Sequence, residues 1–125
     1  MQLTLENPDF RYILRGVGSE GMLVNERSVH GSFILTPMEL IEEWRPKTAA
    51  ELLPEDFEPI LALNPSLVLL GTGNQQCFPS AAAMAACLTR GIGIEVMDSA
   101  AAARTFNVLA TEGRKVVVGF LQPSF

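Results

Sequence analysis

The chain contains few of the side chains that most often perform catalysis or bind a metal. Its 125 residues include one histidine, His30, and two cysteines, Cys77 and Cys87. The cysteines form no CxxC pair, and the histidine, cysteine and acidic residues nowhere have the spacing of metal ligands. No G-x-S-x-G nucleophile motif is present. We therefore expect neither a metal nor a cofactor, and we favour a role other than catalysis.

Positive charge is also scarce, with 9 Lys and Arg residues against 14 Asp and Glu residues and a net charge of -5. Nucleic-acid phosphates require a basic face, so this composition argues against a nucleic-acid partner. Many of the acidic residues lie in one stretch, which is either a docking face for a basic partner or an ordinary solvated surface. Its members are Glu39, Glu42, Glu43, Glu51, Glu55, Asp56 and Glu58.

Long apolar runs and targeting signals are absent from the sequence. The longest apolar runs, such as 67–70 and 81–86, are far shorter than the roughly 20 residues that span a bilayer. The amino terminus has neither a basic segment followed by an apolar one nor the Arg-rich composition of a transit peptide. With 48% hydrophobic and 18% charged residues, the chain is expected to be one cytoplasmic domain over residues 1–125, with reduced thiols.

The first third of the sequence predicts a small antiparallel β meander. Apolar residues alternate loosely from Arg11 to Val17, and further apolar segments follow at 22–24 and 28–35. The segment from Met38 to Trp44 is short and is followed by Pro46, which favours an edge strand over a helix. This segment follows the meander, which Thr36 and Pro37 close, and a short helix is the alternative for it.

Two short helical segments are predicted to follow the meander. Thr48 and Glu51 have the T-x-x-E spacing of a capping box, which predicts a helical turn that stops before Pro54. A second turn is expected within residues 57–63, ended by Asn64 and the proline after it.

The second half alternates strands and helices, which predicts a β-α-β-α-β unit. Gly91 and Gly113 follow the two helical segments, where a left-handed residue commonly ends a helix. Such alternation implies right-handed crossovers and a mainly parallel sheet, so the fold class is α/β. The meander must extend this sheet or pack on it. The predicted elements are the strands 67–70, 92–97 and 116–121 and the helices 80–90 and 99–111.

The ends of two of these strands carry the candidate ligand-binding residues. Gly71, Thr72 and Gly73 follow the first strand, and Asp98 follows the second. Parallel strands place their carboxyl ends at one edge, where open α/β sheets bind ligands, so these residues form a candidate anion site. Gln76 replaces the third glycine of a dinucleotide fingerprint, which argues against NAD. The alternatives are that the glycines only turn the chain and that Asp98 only caps a helix.

Four polar positions near the second helix complete the candidate site. Arg104, Thr105 and Asn107 lie on the predicted helix, and Glu112 lies at its end. Together with Asp98, the side chains of Arg104, Asn107 and Glu112 form either a structural network or a recognition patch. We expect them to be part of a recognition surface and assign none of them a catalytic role.

Several segments together resemble a known family. They are Leu69-Leu70-Gly71-Thr72-Gly73, Gly93-Ile94-Glu95-Val96-Met97-Asp98-Ser99, Arg104-Thr105-Phe106-Asn107-Val108-Leu109 and Glu112-Gly113-Arg114. They resemble the small α/β family with a Mth-type domain and no known biochemical activity. That family includes the adipogenesis-associated domain protein and a mitochondrial complex I assembly factor.

The resemblance implies a three-layer fold around a central mixed sheet and no established catalysis. Members of the family often carry Thr at the position of Ser99 and Cys at the position of Ala103, so thiol chemistry does not transfer to this chain. The chain looks like a bacterial or cytosolic member of the family. An assembly role is expected for it only by analogy with the mitochondrial member.

Two functional hypotheses result from the residues and the resemblance. The first is a non-catalytic interaction or assembly factor with a protein partner, similar to complex I assembly factors. The second is a small-molecule or anion-binding protein that uses the Gly71–Gly73 turn and the Asp98 edge of the sheet. The sequence is also compatible with a homo-oligomer.

Overall fold

A computed structural model describes residues 11–18 and 21–122 of the chain. Within these residues the backbone forms eight strands, three α-helices and two 3₁₀ turns, the latter at Ala49–Glu51 and Pro54–Phe57. The strands and helices, in chain order, are β1 (Leu14–Gly18), β2 (Gly21–Val24), β3 (Arg27–Val29), β4 (Phe33–Leu35), β5 (Leu40–Glu42), α1 (Glu58–Leu61), β6 (Leu67–Gly71), α2 (Ala81–Leu88), β7 (Gly93–Met97), α3 (Ser99–Thr111) and β8 (Val116–Phe120).

The larger sheet has the strand order β5-β4-β8-β6-β7. β6 pairs in parallel with both β7 and β8, whereas β4 pairs antiparallel with β8 and β5. Every residue of β8 is buried. Val116 and Val118 face one core, and Val117 faces the other. This burial on both faces explains why β8 is apolar throughout and does not alternate with polar residues.

The sheet is the middle layer of three. One face is covered by α3 and by the smaller antiparallel sheet β1-β2-β3. Phe106 of α3 is fully buried in the core on that side. The other face is covered by α1, α2 and the 3₁₀ turns, with Phe57 fully buried. The expected α/β class, the three layers and the mixed sheet are confirmed.

The predicted meander is divided between the two sheets. The expected strand over 28–35 is in fact two strands, β3 and β4, which belong to different sheets. Gly31, with φ of +73°, lies between them and redirects the chain. β4 and β5 therefore extend the larger sheet, while β1 to β3 pack on α3. The first strand begins at Leu14, later than the expected Arg11.

The predictions for the short connecting segments are partly correct. β5 confirms the edge strand that was expected within 38–44, and Glu58–Leu61 confirms helix within 57–63. The capping box at Thr48 is wrong, since the Thr48 side chain makes no capping hydrogen bond. Glu51 Oε1 instead accepts from the Lys47 backbone N–H at 3.1 Å. The helical turn that was expected before Pro54 is present as the three-residue 3₁₀ turn Ala49–Glu51.

Both predicted helix stops at glycine are confirmed. Gly91 and Gly113 have φ of +73° and +75°. After α3, the Gly113 N–H donates to the Ala110 carbonyl and the Arg114 N–H donates to the Leu109 carbonyl, both at 3.0 Å. This is the hydrogen-bond pattern of a Schellman motif. It fixes the course of the backbone into β8.

Candidate functional site

The Gly71–Gly73 turn and Asp98 lie at the same edge of the larger sheet, as the sequence predicts. β6 and β7 are parallel and Gly71 is opposite Met97. Ser99 joins the two strand ends: its Oγ accepts from the Gly73 N–H at 2.8 Å and its N–H donates to the Gly73 carbonyl at 2.7 Å. The two strand ends are therefore held together by internal hydrogen bonds.

The backbone donors of this turn already have protein acceptors. The Thr72 N–H donates to the Met97 carbonyl at 3.0 Å, and the Gly73 N–H is bound to Ser99. A Cβ at Gly71 would lie 2.7 Å from Cδ1 of Phe120 and 3.1 Å from Ser99 Oγ. Close packing thus accounts for Gly71, and neither Thr72 nor Gly73 offers an N–H to an anion.

The side chains of Thr72 and Asp98 also stabilise local structure. Thr72 Oγ1 donates to the Gln75 carbonyl at 2.6 Å and accepts from the Cys77 N–H at 3.1 Å, which orders the loop before α2. Asp98 Oδ1 accepts from the Ala101 N–H at 2.8 Å and caps α3. Asp98 is therefore the N-cap of α3, as the sequence predicts.

Asn107 attaches α3 to the smaller sheet. Its Oδ1 accepts from the Leu14 N–H at 2.9 Å, and its Nδ2 donates to the Leu14 carbonyl at 2.7 Å. The amide thus satisfies both backbone groups of one residue of β1, in the way that a neighbouring strand would. Asn107 is part of a structural network.

The other polar residues of α3 do not gather around Asn107. Arg104 is exposed and lines a cleft of about 240 Å³ with Arg15 and Asn107. Thr105 instead contacts Met97, with its Oγ1 3.6 Å from the sulfur. Glu112 is exposed at the far end of the helix, about 21 Å along the axis from Asp98 at 1.5 Å per residue. The predicted site residues therefore occupy several separate places.

The acidic stretch is partly neutralised by ion pairs. Asp56 is buried, and its two carboxylate oxygens accept from Arg45 Nε at 2.8 Å and Nη2 at 2.6 Å. The hydrogen bond from Arg45 holds the pKa of Asp56 below its ordinary value. Glu42 pairs with Arg27, and a Glu58 carboxylate oxygen lies 3.8 Å from Arg90. Asp56 is therefore structural, whereas Glu39, Glu43 and Glu55 are exposed and form none of the ion pairs found among the described residues.

The few candidate nucleophiles and metal ligands lie apart. Burial raises the pKa of the Cys87 thiol to about 11, whereas Cys77 is exposed. His30 is exposed on the turn between the two sheets. Within 11–18 and 21–122, no group of three or more histidine, cysteine or acidic residues is placed to hold a metal ion. None of the helices in this part of the chain is long and apolar enough to cross a membrane.

Two surface features were missed in the sequence. The first is a cavity of about 270 Å³ at the edge of the sheet opposite the Gly71 turn, lined in part by Met38, Arg114 and Lys115. The second is an apolar surface around α2, where Phe78 is 64% and Leu88 55% exposed. The second could have been recognised, because the α2 sequence AAAMAACL has no charged residue on any side.

These features define a three-layer α/β domain with an exposed apolar surface around α2. The chain belongs to a protein family of unknown function (DUF498/DUF598), whose model matches residues 14–121. The resemblance found in the sequence is thereby confirmed.

The relatives of the chain include named proteins and solved structures. NADH dehydrogenase [ubiquinone] 1 alpha subcomplex assembly factor 3 of Bos taurus is 31% identical over 123 residues, which are 97% of this chain and 66% of the relative. A protein of Xanthomonas campestris is 50% identical, with a TM-score of 0.82 and coverage of 98% of this chain and 92% of the other. A Bordetella pertussis protein described as a Mth938-like domain is 24% identical, with a TM-score of 0.80 and coverage of 98% and 92%.

The extent of these matches limits what transfers to this chain. The Bordetella pertussis protein, at 24% identity, shows that the two chains share the fold. The chain spans slightly less than two thirds of the bovine assembly factor. The role of the whole bovine protein is therefore extended to this chain only as a proposal.

Proposed function

We propose that the protein is a non-catalytic assembly factor that binds a protein partner during assembly of a respiratory NADH dehydrogenase. One observation carries the proposal: 97% of the chain aligns with a bovine protein named as an assembly factor of that enzyme. The placement of polar groups agrees with it, since the side chains of Thr72, Asp98 and Asn107 are engaged in hydrogen bonds to the backbone that hold the fold together.

The surface that suits a protein partner is the apolar surface around α2, which we call the α2 face. It consists of Phe78, Ala81, Ala82, Ala85 and Leu88. Large exposed apolar side chains beside small ones are typical of contact surfaces, and aromatic residues often supply much of the binding energy. Phe78, the most exposed of the large apolar residues described, is the expected anchor.

The rim of the α2 face indicates the chemistry of the partner. α2 packs against the Pro54–Phe57 turn, which places the exposed Glu55 and Glu58 beside it. Arg90, 3.8 Å from Glu58, and Arg45, which interacts electrostatically with Glu55, partly offset this negative charge. The partner is expected to present an apolar surface with basic residues at its edge. A symmetric dimer through this face would bring the same acidic rims towards each other, which disfavours a second copy of the chain.

The proposal is tested by charging the centre of the α2 face. Phe78→Asp should abolish co-purification of NADH dehydrogenase subunits, identified by mass spectrometry, from cells that encode the protein. Val108→Asp is the matched control, because Val108 is 55% exposed but lies on α3 in the opposite layer. In a deletion strain, the parent chain and the Val108→Asp variant should restore NADH oxidation by membranes, and Phe78→Asp should not.

Several results would contradict the proposal. Equal recovery of the subunits with both variants would exclude the α2 face. Unchanged NADH oxidation in the deletion strain would exclude the assembly role. A concentration-dependent dimer that Phe78→Asp disrupts, measured by light scattering, would assign the face to a second copy of the chain.

The cleft beside α3 supports a second candidate function, the binding of a small anion. Arg15 and Arg104 line this cleft, and no acidic residue is among its lining residues. The proposed anion site is separate from the Gly71–Gly73 turn, where the N–H groups of Thr72 and Gly73 already donate to protein acceptors. Inorganic phosphate should shift the amide resonances of the cleft saturably, and Arg104→Gln should remove the effect. A non-saturable response, or one unchanged by Arg104→Gln, would exclude the site.

From the composition we also propose a cytoplasmic location and a single domain over residues 1–125. Cell fractionation with an antibody to the native protein tests the location, and recovery in a membrane fraction after high-salt washing would contradict it. A single cooperative unfolding transition, the same by fluorescence and circular dichroism, is expected for one domain.

A further inference from the structure

The cavity opposite the Gly71 turn lies where three connections of the chain meet. β6 and β8 begin at this edge because they are parallel, and β4 ends here because it runs antiparallel to β8. The cavity, of about 270 Å³, is open to solvent and is bordered by the β4–β5 connection, the segment before β6 and the segment before β8. Its lining residues are Thr36, Pro37, Met38, Glu39, Leu63, Pro65, Gly113, Arg114, Lys115, Val116 and Val117.

The walls of the cavity are held by hydrogen bonds. Thr36 Oγ1 accepts from the N–H groups of Met38 and Glu39 at 3.0 and 2.8 Å, which holds the β4–β5 connection. Arg114 is held through its N–H in the Schellman motif after α3, and the Lys115 carbonyl accepts from the Ser66 N–H at 2.8 Å. A site with a fixed backbone loses less conformational freedom when a ligand binds.

The charges around the cavity select a ligand with one negative charge. Arg114 and Lys115 are exposed, and among the described residues neither forms an ion pair. Glu39 is the one carboxylate among the lining residues, so the rim has a net charge of +1 in a chain of net charge -5. The Arg114 guanidinium presents paired N–H donors that match the two oxygens of a carboxylate. Met38, 43% exposed, is an adaptable apolar wall.

We propose that this cavity binds a small monocarboxylate with a compact apolar body. The volume is slightly below the roughly 300 Å³ at which pockets for drug-sized ligands begin, so the ligand must be small. The apolar body lies against Met38, Leu63 and Pro65, and the carboxylate accepts hydrogen bonds from Arg114. This site is independent of the assembly role and of the α2 face.

Methyl NMR with hexanoate as the probe tests the site. The chain has five methionines, and Met38 is the one in this cavity. Hexanoate should shift the Met38 methyl resonance saturably, with a Kd of about 1 mM for so small a ligand. Hexanamide, which has the same apolar body without the charge, should bind roughly tenfold more weakly or not at all. The Met97 methyl, at the opposite edge of the sheet, serves as the internal reference.

Two charge variants give effects of opposite sign. Arg114→Glu should weaken hexanoate binding roughly tenfold or more, and Glu39→Gln should strengthen it roughly two- to threefold by removing the neighbouring carboxylate. Arg104→Glu, on α3 and outside this cavity, is the matched control and should leave the Kd within about twofold. Arg114→Gln provides a second loss-of-charge variant, and its methyl spectrum without ligand checks folding.

The proposal fails if hexanoate produces no saturable shift of the Met38 methyl. It also fails if hexanamide binds equally well, or if both Arg114 variants bind hexanoate as the parent does. A shift confined to the Met97 methyl would place the ligand at the Gly71 edge instead and overturn the proposal.

Discussion

Gly119 lies in the central strand where the structure has no room for a larger residue. A Cβ at this position would lie 2.6 Å from Cζ3 and 2.7 Å from Cη2 of Trp44, with Cδ1 of Ile60 at 3.3 Å. The indole is not free to move aside, because its Nε1–H donates to the Asp56 carbonyl at 2.9 Å and its ring packs edge-on against Phe57. Gly119→Ala must therefore displace the ring, the strand or both.

The cost of this displacement follows from the geometry. Overpacking a well-packed core typically costs about 1–3 kcal/mol, and a clash between a rigid ring and a central strand belongs near the upper end, about 2–3 kcal/mol. With a urea m-value of about 1.5–2 kcal/mol per molar, the midpoint of unfolding should fall by about 1–2 M. For a domain of this size the melting temperature should fall by about 8–12 °C.

Urea unfolding followed by tryptophan fluorescence measures this effect, because Trp44 is the one tryptophan of the chain. Gly93→Ala is the matched control: Gly93 also lies on a strand, but its nearest neighbour, Leu67 Cδ1, is at 3.5 Å. That variant should change the stability by no more than about 0.5 kcal/mol. If Gly119→Ala unfolded at the same urea concentration as Gly93→Ala, the close contact with Trp44 would not limit stability and the reasoning would be refuted.

Three further predictions concern polar groups. Asn107→Ala should destabilise the protein by about 1–3 kcal/mol, because two backbone groups of β1 lose their hydrogen-bond partner. Amide hydrogen exchange should become faster in β1, and an unchanged exchange rate would contradict the prediction. Because Arg45 lowers the pKa of Asp56 in the folded state, the stability that this pair contributes is present above the unfolded pKa and lost as pH falls through the folded value. The stability difference between the parent and Asp56→Asn, measured by urea unfolding, should therefore be largest near neutral pH and shrink in acid, and a constant difference would count against the ion pair. At pH 8 a thiol reagent should modify Cys77 in the native protein and should modify Cys87 only after the chain is unfolded, because Cys87 is buried and its pKa is raised to about 11. Modification of both thiols in the native protein would show that Cys87 is accessible.

Much of the second half of the fold was predictable because its signals are local. Gly113 ends α3 through its own φ of +75°, and Asp98 caps the same helix through a hydrogen bond to a residue three positions away. The apolar run of β6 predicts a strand buried on both faces. Each of these signals acts over a few residues of chain, so each is readable without knowledge of the tertiary structure.

The candidate site was predictable only in part, because its contacts join distant parts of the chain. The common edge of Gly71 and Asp98 follows from the parallel strands, but the filling of that edge by Phe120 and Ser99 does not. Asn107 was recognised as a polar position on a helix, whereas its partner Leu14 is 93 residues away. The spacing of polar residues along a helix shows which face they share, but it does not show which residues they contact.

The sequence by itself determined the class of fold, the order of strands and helices in the second half and the scarcity of catalytic groups. Tertiary structure alone decided that the segment 28–35 divides between two sheets, that Asn107 holds β1 and that the larger cavity opens opposite the Gly71 turn. The physical reason is one of range. Backbone conformation, capping and apolar periodicity arise among neighbours in the chain, whereas cavities and long-range hydrogen bonds depend on how whole layers pack.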